Sequence, residues 1–336
     1  MPSTIGELFG RDADPRSYLA HDRLACQALL GVEIELEGVS FATVTDRAPE
    51  EVRRWWGFSE DGSLRGANFE AILRTPLAGD DYCTAVSVLC SYLNDKYGKK
   101  LNASERTSLH IHCDVRDLTT DQLIKLILIY MIFERALFHY VGKGRDKSNF
   151  CIPNCKFVDL FDSLGSLTAA PEKFHSSVNR MDKYGALNLS ALPKFGSLEF
   201  RHHPGCFNEE DIIRWSNIIL SLRKWAVESP TDAISLPEYL SAYGPPALAA
   251  NVFNDLFPFL DYPDLTSDCY YGVRRVQDIV FAEQMQADSR RFLESISDKK
   301  AKKKNIEVEE PGLEEMIGEL RDHPAYVRLQ DPEVQF

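Results

Sequence analysis

The stretch "GVEIELEG", residues 31–38, decides the fold. Its side chains alternate: Val32, Ile34 and Leu36 fall on one side and Glu33, Glu35 and Glu37 on the other, the period-two pattern of a β-strand with one buried face. Three carboxylates aligned opposite a core-forming row need an explanation, because neighbouring like charges oppose one another's ionisation.

Other stretches repeat the arrangement. In "SLHIHCD" (108–114), Leu109, Ile111 and Cys113 oppose His110, His112 and Asp114. In "SLEFRHH" (197–203), Leu198 and Phe200 oppose Glu199 and Arg201, and in "NFEAIL" (68–73) Glu70 sits between Phe69 and Ala71. Residues i and i+2 on such a face lie about 7 Å apart. A solvated charged face would account for any single strand. Surface strands, however, favour Thr, Lys and mixed charge, whereas here carboxylates, imidazoles and a guanidinium are each concentrated on separate strands. Divalent cations held between the strands would resolve the repulsion. Carboxylate-rich donor sets with one or two imidazoles suit Mg²⁺ or Mn²⁺ better than zinc. Such ions beside Glu and Arg suit phosphoryl chemistry on a nucleotide. The sequence has no G-x-x-x-x-G-K-[ST] and no G-x-G-x-x-G, "VGKGRDK" (141–147) being the nearest approach, so the metals would do most of the phosphate holding.

The 336 residues, 44% of them hydrophobic, suffice for a real core, and a net charge of −13 argues against a general nucleic-acid groove or an anionic membrane surface. No basic-then-apolar leader opens the chain, and "LIKLILIYMIF" from Leu123 is too short and too interrupted to span a bilayer. A soluble, cytoplasmic protein with scattered buried thiols is therefore expected. "CIPNC" (151–155) has no second cysteine pair to complete a zinc site.

Strands are expected around 31–46 and 54–59, at "NFEAILRT" and 107–115, and across 183–203. Helices are expected over 80–97, from Thr119 or Thr120 to the glycines near 142, over 209–227 and over 272–298, while 230–270 resists assignment. Strands and helices do not alternate as βαβ units do, so an antiparallel or mixed sheet with helices on one side is expected. Residues 299–312 read as a charged linker and 313–336 as a tail with a possible short helix, leaving 1–298 as one catalytic domain.

Taken in order, "GVEIELE", "DGSLRGANFEAILRTPL", "SLHIHCD", the loop "GRDKSNFC", "KYGALNL" and "SLEFRHHPG" resemble the amidoligases of the carboxylate–amine ligase group, whose sheet is shared with glutamine synthetase and glutamate–cysteine ligase. The resemblance covers about residues 29–225. It implies an α+β fold, a curved antiparallel half-barrel like the glutamine synthetase catalytic domain with helices on its outer face, that holds ATP and two or more Mg²⁺ (or Mn²⁺) ions. By that pattern Glu35 and Glu70 share one metal position, and Glu33, His110 and Glu199 another. His112 faces the ATP phosphates, Arg201 meets the transferred phosphoryl group, Arg145 contacts substrate or phosphate, and Asn188 lies in the "Y-x-A-L-N" strand as a cofactor-side residue.

The implied activity is ATP-dependent amide or isopeptide bond formation through an acyl phosphate, on small-molecule or peptide carboxylates and amines. No second glutamate partner for Glu70 and no ammonium pocket are recognisable. Glu37 reads as a strand-end surface carboxylate, His202 and His203 as structural with substrate contact as the alternative, Asp61 as a turn former with a substrate role as the alternative, and Trp55, Trp56 and Trp215 as core. Two alternatives remain at this point: a metal-dependent hydrolase using the H-x-H strand, which would want that pair on the first strand of a (β/α)₈ barrel, and a non-catalytic binding protein that retains the fold.

Overall fold

The computed structural model describes residues 4–142, 144–156, 184–241 and 244–281. Six strands form one open, wholly antiparallel sheet: β1 Leu30–Glu37, β2 Trp56–Ser59, β3 Asn68–Leu73, β4 Ser108–Asp114, β5 Leu187–Asn188 and β6 Ser197–Pro204, in the order β2-β3-β1-β4-β6-β5. The described helices are α1 Ile5–Leu8, α2 Phe41–Arg47, α3 Glu50–Trp55, α4 Gly79–Tyr97, α5 Thr120–Val141, α6 Ala191–Phe195, α7 Glu209–Glu228, α8 Leu236–Ser241, α9 Pro245–Phe253 and α10 Phe257–Leu260. The chain divides into two compact units, 1–277 and 278–336. The first holds the sheet and these helices; of the second, residues 278–281 are described and are helical. The linker and tail expected at 299–312 and 313–336 lie outside the described residues.

One face of the sheet is the core. Val32, Ile34, Leu36, Leu109, Ile111, Cys113, Leu198 and Phe200 are all buried. The long helices cover that face: the Tyr130 ring of α5 meets the Phe200 ring edge-on with centroids 5.9 Å apart, and the buried Tyr82 hydroxyl of α4 bonds the Ser216 hydroxyl of α7 at 2.5 Å. Helix α5 is buried along most of its circumference, as its near-continuous apolar run requires. Thr119 caps it in a capping box with Gln122, and Gly142, at φ +99°, ends it.

Strand β1 stops at Glu37, and residues 41–47, expected to extend it, form α2 instead. The switch is local. Gly38 has φ +100° and approaches the Lys100 carbonyl so closely that a Cβ would lie 2.0 Å from its oxygen, while Ser40 accepts the Thr43 N–H as an N-cap. In the same way, "KYGALNLSAL" yields only the two-residue β5 before α6 begins. The region 230–270 resolves into the short helices α8 to α10, with residues 265–277 helical beyond them. All eight cysteines are free thiols, five of them buried. No described helix is long and apolar enough to cross a membrane.

Candidate active site on the polar face of the sheet

Antiparallel register converts the alternation into a cluster. Glu35 stands opposite Glu70, Glu33 opposite His110, and His112 opposite Glu199, which in turn faces Asn188 on β5. Gly31 faces His112, where a Cβ would come within 3.2 Å of the His112 Cβ; the glycine leaves that ring room on the sheet.

The side chains meet as the register dictates. His110 Nδ1 lies 3.1 Å from Glu33 Oε2 and 3.5 Å from Glu199 Oε1, and its Nε2 is 3.8 Å from Glu35 Oε1. His112 Nε2 is 3.5 Å from Glu33 Oε1, with its Nδ1 3.1 Å from the Ser197 hydroxyl. Arg201 pairs with Glu199 Oε1, and Asn188 donates to Glu199 Oε2 at 2.6 Å. The Ser59 hydroxyl donates to Glu70 at 3.3 Å.

Three sets of donor atoms lie within 4.8 Å of one another: Glu33, Glu70 and His110; Glu33, His112 and Glu199; and Glu35, Asp61 and Glu70. The sets share members, so they form one continuous row. His110 Nε2, His112 Nε2 and Arg201 Nε are buried with no hydrogen-bond partner. Unpartnered imidazole nitrogens beside carboxylates fit a divalent cation, which would accept their lone pairs and relieve the charge repulsion. No cysteine enters any of these sets.

The electrostatics follow from burial and neighbours. Burial alone would raise the Glu33 carboxyl, but the His110 hydrogen bond and the nearby His112 imidazole outweigh it and hold the group well below the ordinary carboxylate range. Burial likewise opposes ionisation of Glu199, and His110 and Arg201 overcome it to leave that group lowered. Burial lowers His112, but the neighbouring Glu33 and Glu199 carboxylates raise it further, for a net rise. Glu35 is raised by burial. Glu70 is pushed up to about 8, first by burial and then by the charges of Glu33, Glu35 and Asp61.

Between the ordinary 4.5 and about 8, the folded protein therefore keeps a proton on Glu70 that the unfolded chain releases. This group's contribution to stability is complete below the lower value and is lost as pH rises through the upper one. Glu70→Gln stays neutral at every pH. In EDTA it is expected to melt with wild type near pH 5 and several degrees higher above about pH 8. Equal melting temperatures at both ends of a pH series would exclude this environment for Glu70.

Asp61 is the member that sequence periodicity missed. Its Oδ1 accepts the Ser63 N–H at 2.6 Å, the turn-forming role expected of it, yet the same carboxylate faces Glu35 and Glu70 and stands as the carboxylate partner that Glu70 lacked in the sequence pattern. Glu37 is a correction: it is not on the surface but 8% exposed, accepting the Arg65 N–H at 2.9 Å. His202 and His203 do not straddle the strand, because the β4–β6 register shifts between Leu109 and Ile111 and both rings come to lie against Trp215. Burial lowers His202 to about 3 and keeps it neutral. Arg145 is buried, and its guanidinium donates to the carbonyls of His202 (2.8 Å) and Arg201 (2.9 Å) and to the Ser108 hydroxyl (3.0 Å), clasping that bulge from beside.

At the His112 end of the row opens a cavity of about 290 Å³ lined by Ile72, Arg74, Asp114, Arg116, Phe195 and Ser197, with Phe195 61% exposed. A larger cavity, about 610 Å³, lies near Trp225 and Asn251 and contains none of the donor sets, whereas Glu33 and His112 line the smaller one.

An antiparallel sheet whose polar face gathers overlapping Glu, Asp and His sets beside an arginine defines a candidate metal centre. The family model described as "Putative amidoligase enzyme" matches residues 68–223, and this supports the amidoligase family for the chain and with it an amide-bond-forming ligase. The matched span runs from β3 into α7; β1 lies outside it, yet pairs with β3 and β4 and so supplies Glu33 and Glu35 to the same centre. No curated protein matches the chain.

Proposed function

We propose that this protein is an ATP-dependent carboxylate–amine ligase that forms an amide or isopeptide bond through an acyl phosphate. The observation that carries the reading is the convergence of Glu33, Glu35, Glu70, His110 and Glu199 from four strands, with imidazole nitrogens left unpartnered and Arg201 held among them. The antiparallel sheet with its helices on the apolar face supports likeness to the glutamine synthetase catalytic domain. The H-x-H strand stands in an antiparallel sheet and not in a (β/α)₈ barrel, which is the frame the hydrolase alternative requires.

A carboxylate is a poor electrophile, so transfer of the γ-phosphoryl group to it makes the acyl carbon attackable, with ADP departing. An amine nitrogen then bonds to that carbon, phosphate leaves and the amine proton is released. Bound Mg²⁺ or Mn²⁺ would neutralise the phosphate oxygens during transfer. Glu35, Glu70 and Asp61 provide one donor set, and Glu33 with His110, His112 and Glu199 the neighbouring ones. Asn188 orients Glu199 through one oxygen while Arg201 pairs with the other, leaving the Arg201 Nε free for an equatorial phosphoryl oxygen. Arg145 serves by fixing the backbone of Arg201; a direct substrate contact would require its bonds to carbonyls to break. The cavity beside His112 and Phe195 accommodates the nucleoside end, placing the phosphates over the acidic row.

Incubation with ATP, Mg²⁺ and mixed carboxylates and amines should release ADP only when both partners are present, with a product lighter than their sum by one water in mass spectra. Product formation without ATP would instead favour a hydrolase run in reverse, and absence of any nucleotide binding would favour a scaffold.

A further inference from the structure

Strand β5 has two residues in the ladder, too few to hold its own register firmly, yet one of them is Asn188, the donor to Glu199. The support comes from behind. Glu134 of the buried helix α5 is itself buried, and its carboxylate accepts the backbone N–H groups of Asn154 (2.5 Å) and Cys155 (3.0 Å) together with the Tyr130 hydroxyl (2.7 Å). A carboxylate so placed fixes the 3₁₀ turn Asn154–Lys156. From that turn the buried Asn154 side chain makes a two-way bond to β5: it donates to the Leu187 carbonyl at 2.8 Å and accepts the Leu187 N–H at 2.7 Å. The amide carries the donor and the acceptor side by side, which an ionised carboxylate cannot do. A bridge between Ile152 and Gly185 and the Arg201 N–H to the Ala186 carbonyl (2.8 Å) hold the chain just before the strand, while both backbone groups of Leu187 bond the Asn154 side chain. Asn188, the next residue, has its carbonyl Oδ1 fixed by the Ser190 N–H (2.9 Å) and hydroxyl (2.6 Å), which leaves its Nδ2 directed to Glu199.

We infer that Glu134 and Asn154 are positioning residues for the catalytic centre: they set β5 so that Asn188 orients the Glu199 carboxylate toward its cation. Neither touches the acidic row. Their influence runs Glu134 to the turn, Asn154 to Leu187, and Asn188 to Glu199, a continuous set of hydrogen bonds from the helical core to the polar face. The proposal rests on the reading of Glu199 as an ion ligand. A hydrogen-bonded partner behind a metal ligand changes ion affinity about 10–100-fold when removed.

The test is Mn²⁺ binding to the full chain, followed by electron paramagnetic resonance of free Mn²⁺ and so independent of activity. Wild type is the first arm: no binding by wild type removes the ligase reading itself, and with it this proposal. Given binding, Asn154→Ala is expected to lower Mn²⁺ affinity about 10-fold, Asn188→Ala at least as much, and the double variant no more than Asn188→Ala alone, because the two act through one route. General loosening of the fold would instead make the losses add. Asn154→Asp, which keeps the acceptor for the Leu187 N–H and loses the donor, should fall between wild type and Asn154→Ala. Unchanged affinity in folded Asn154→Ala, or additive losses, would overturn the inference. So would failure of both Asn154 variants to fold, since the residue would then serve the whole structure and not the site.

Discussion

Replacing Glu33 by alanine is expected to lower ATP-dependent amide formation about 10³-fold or more while the chain stays folded. Glu33 belongs to two of the three donor sets and contacts both imidazoles of β4. Removing a single preorganised charge partner of a reacting group lowers turnover ~10²–10³-fold, and this residue serves two adjoining positions. Its folded-state carboxyl is held below the ordinary range, so it contributes stability above that range, which is lost as pH falls through the folded value. The alanine variant gives up that contribution at neutral pH, and a modest fall in melting temperature should accompany the activity loss. Glu33→Gln keeps the volume and lacks the charge. If charge is what matters, it should be nearly as inactive as alanine, with Mn²⁺ titration showing weaker binding in both. Turnover within a few-fold of wild type in either variant would place the cation elsewhere.

This experiment has a second use, because β1 lies outside the segment matched by the amidoligase family model. The E-x-E strand enters the site through pairing alone, and its alternation was legible in the sequence because one face must be buried: a one-residue slip would turn Val32, Ile34 and Leu36 outward. The same logic made β4 and β6 readable. Where side-chain period gives no signal, reading the residues gave less. Asp61 sits in a turn, where nothing in the spacing reveals that the chain folds its carboxylate back beside Glu70. His202 and His203 follow a bulge, so strand parity assigns them to opposite faces when both face Trp215. Glu37 ends its strand but is covered by the loop that carries Arg65. Residues 41–47 carry β-branched Val44 and Thr45, which suit a strand, and only the Gly38 turn and the Ser40 cap make them helical. Arg145 shows the limit in another way: its type suggests phosphate binding, while the carbonyls it contacts become visible only once β6 is bent.

The other large effect should come from Arg201. Arg201→Lys is expected to lower kcat about 10³-fold with the KM for ATP changed only a few-fold, the size and pattern associated with a guanidinium that meets charge developing on a transferred phosphoryl group. The lysine keeps a positive charge beside Glu199 but cannot do what the geometry asks of the arginine, which pairs with Glu199 through one nitrogen while its Nε remains buried and free. Arg201→Ala separates a second consequence. His110 and Arg201 together hold the Glu199 carboxyl down against burial. Without the guanidinium that carboxyl moves upward and competes with the cation for a proton, so half-maximal Mn²⁺ binding should shift to higher pH in the alanine variant and much less in the lysine one. A lysine variant with wild-type kcat would reduce Arg201 to a counter-charge for Glu199. An alanine variant with an unshifted Mn²⁺ pH profile would deny it even that, and the phosphoryl group would then have to be met by a cation from outside the sheet.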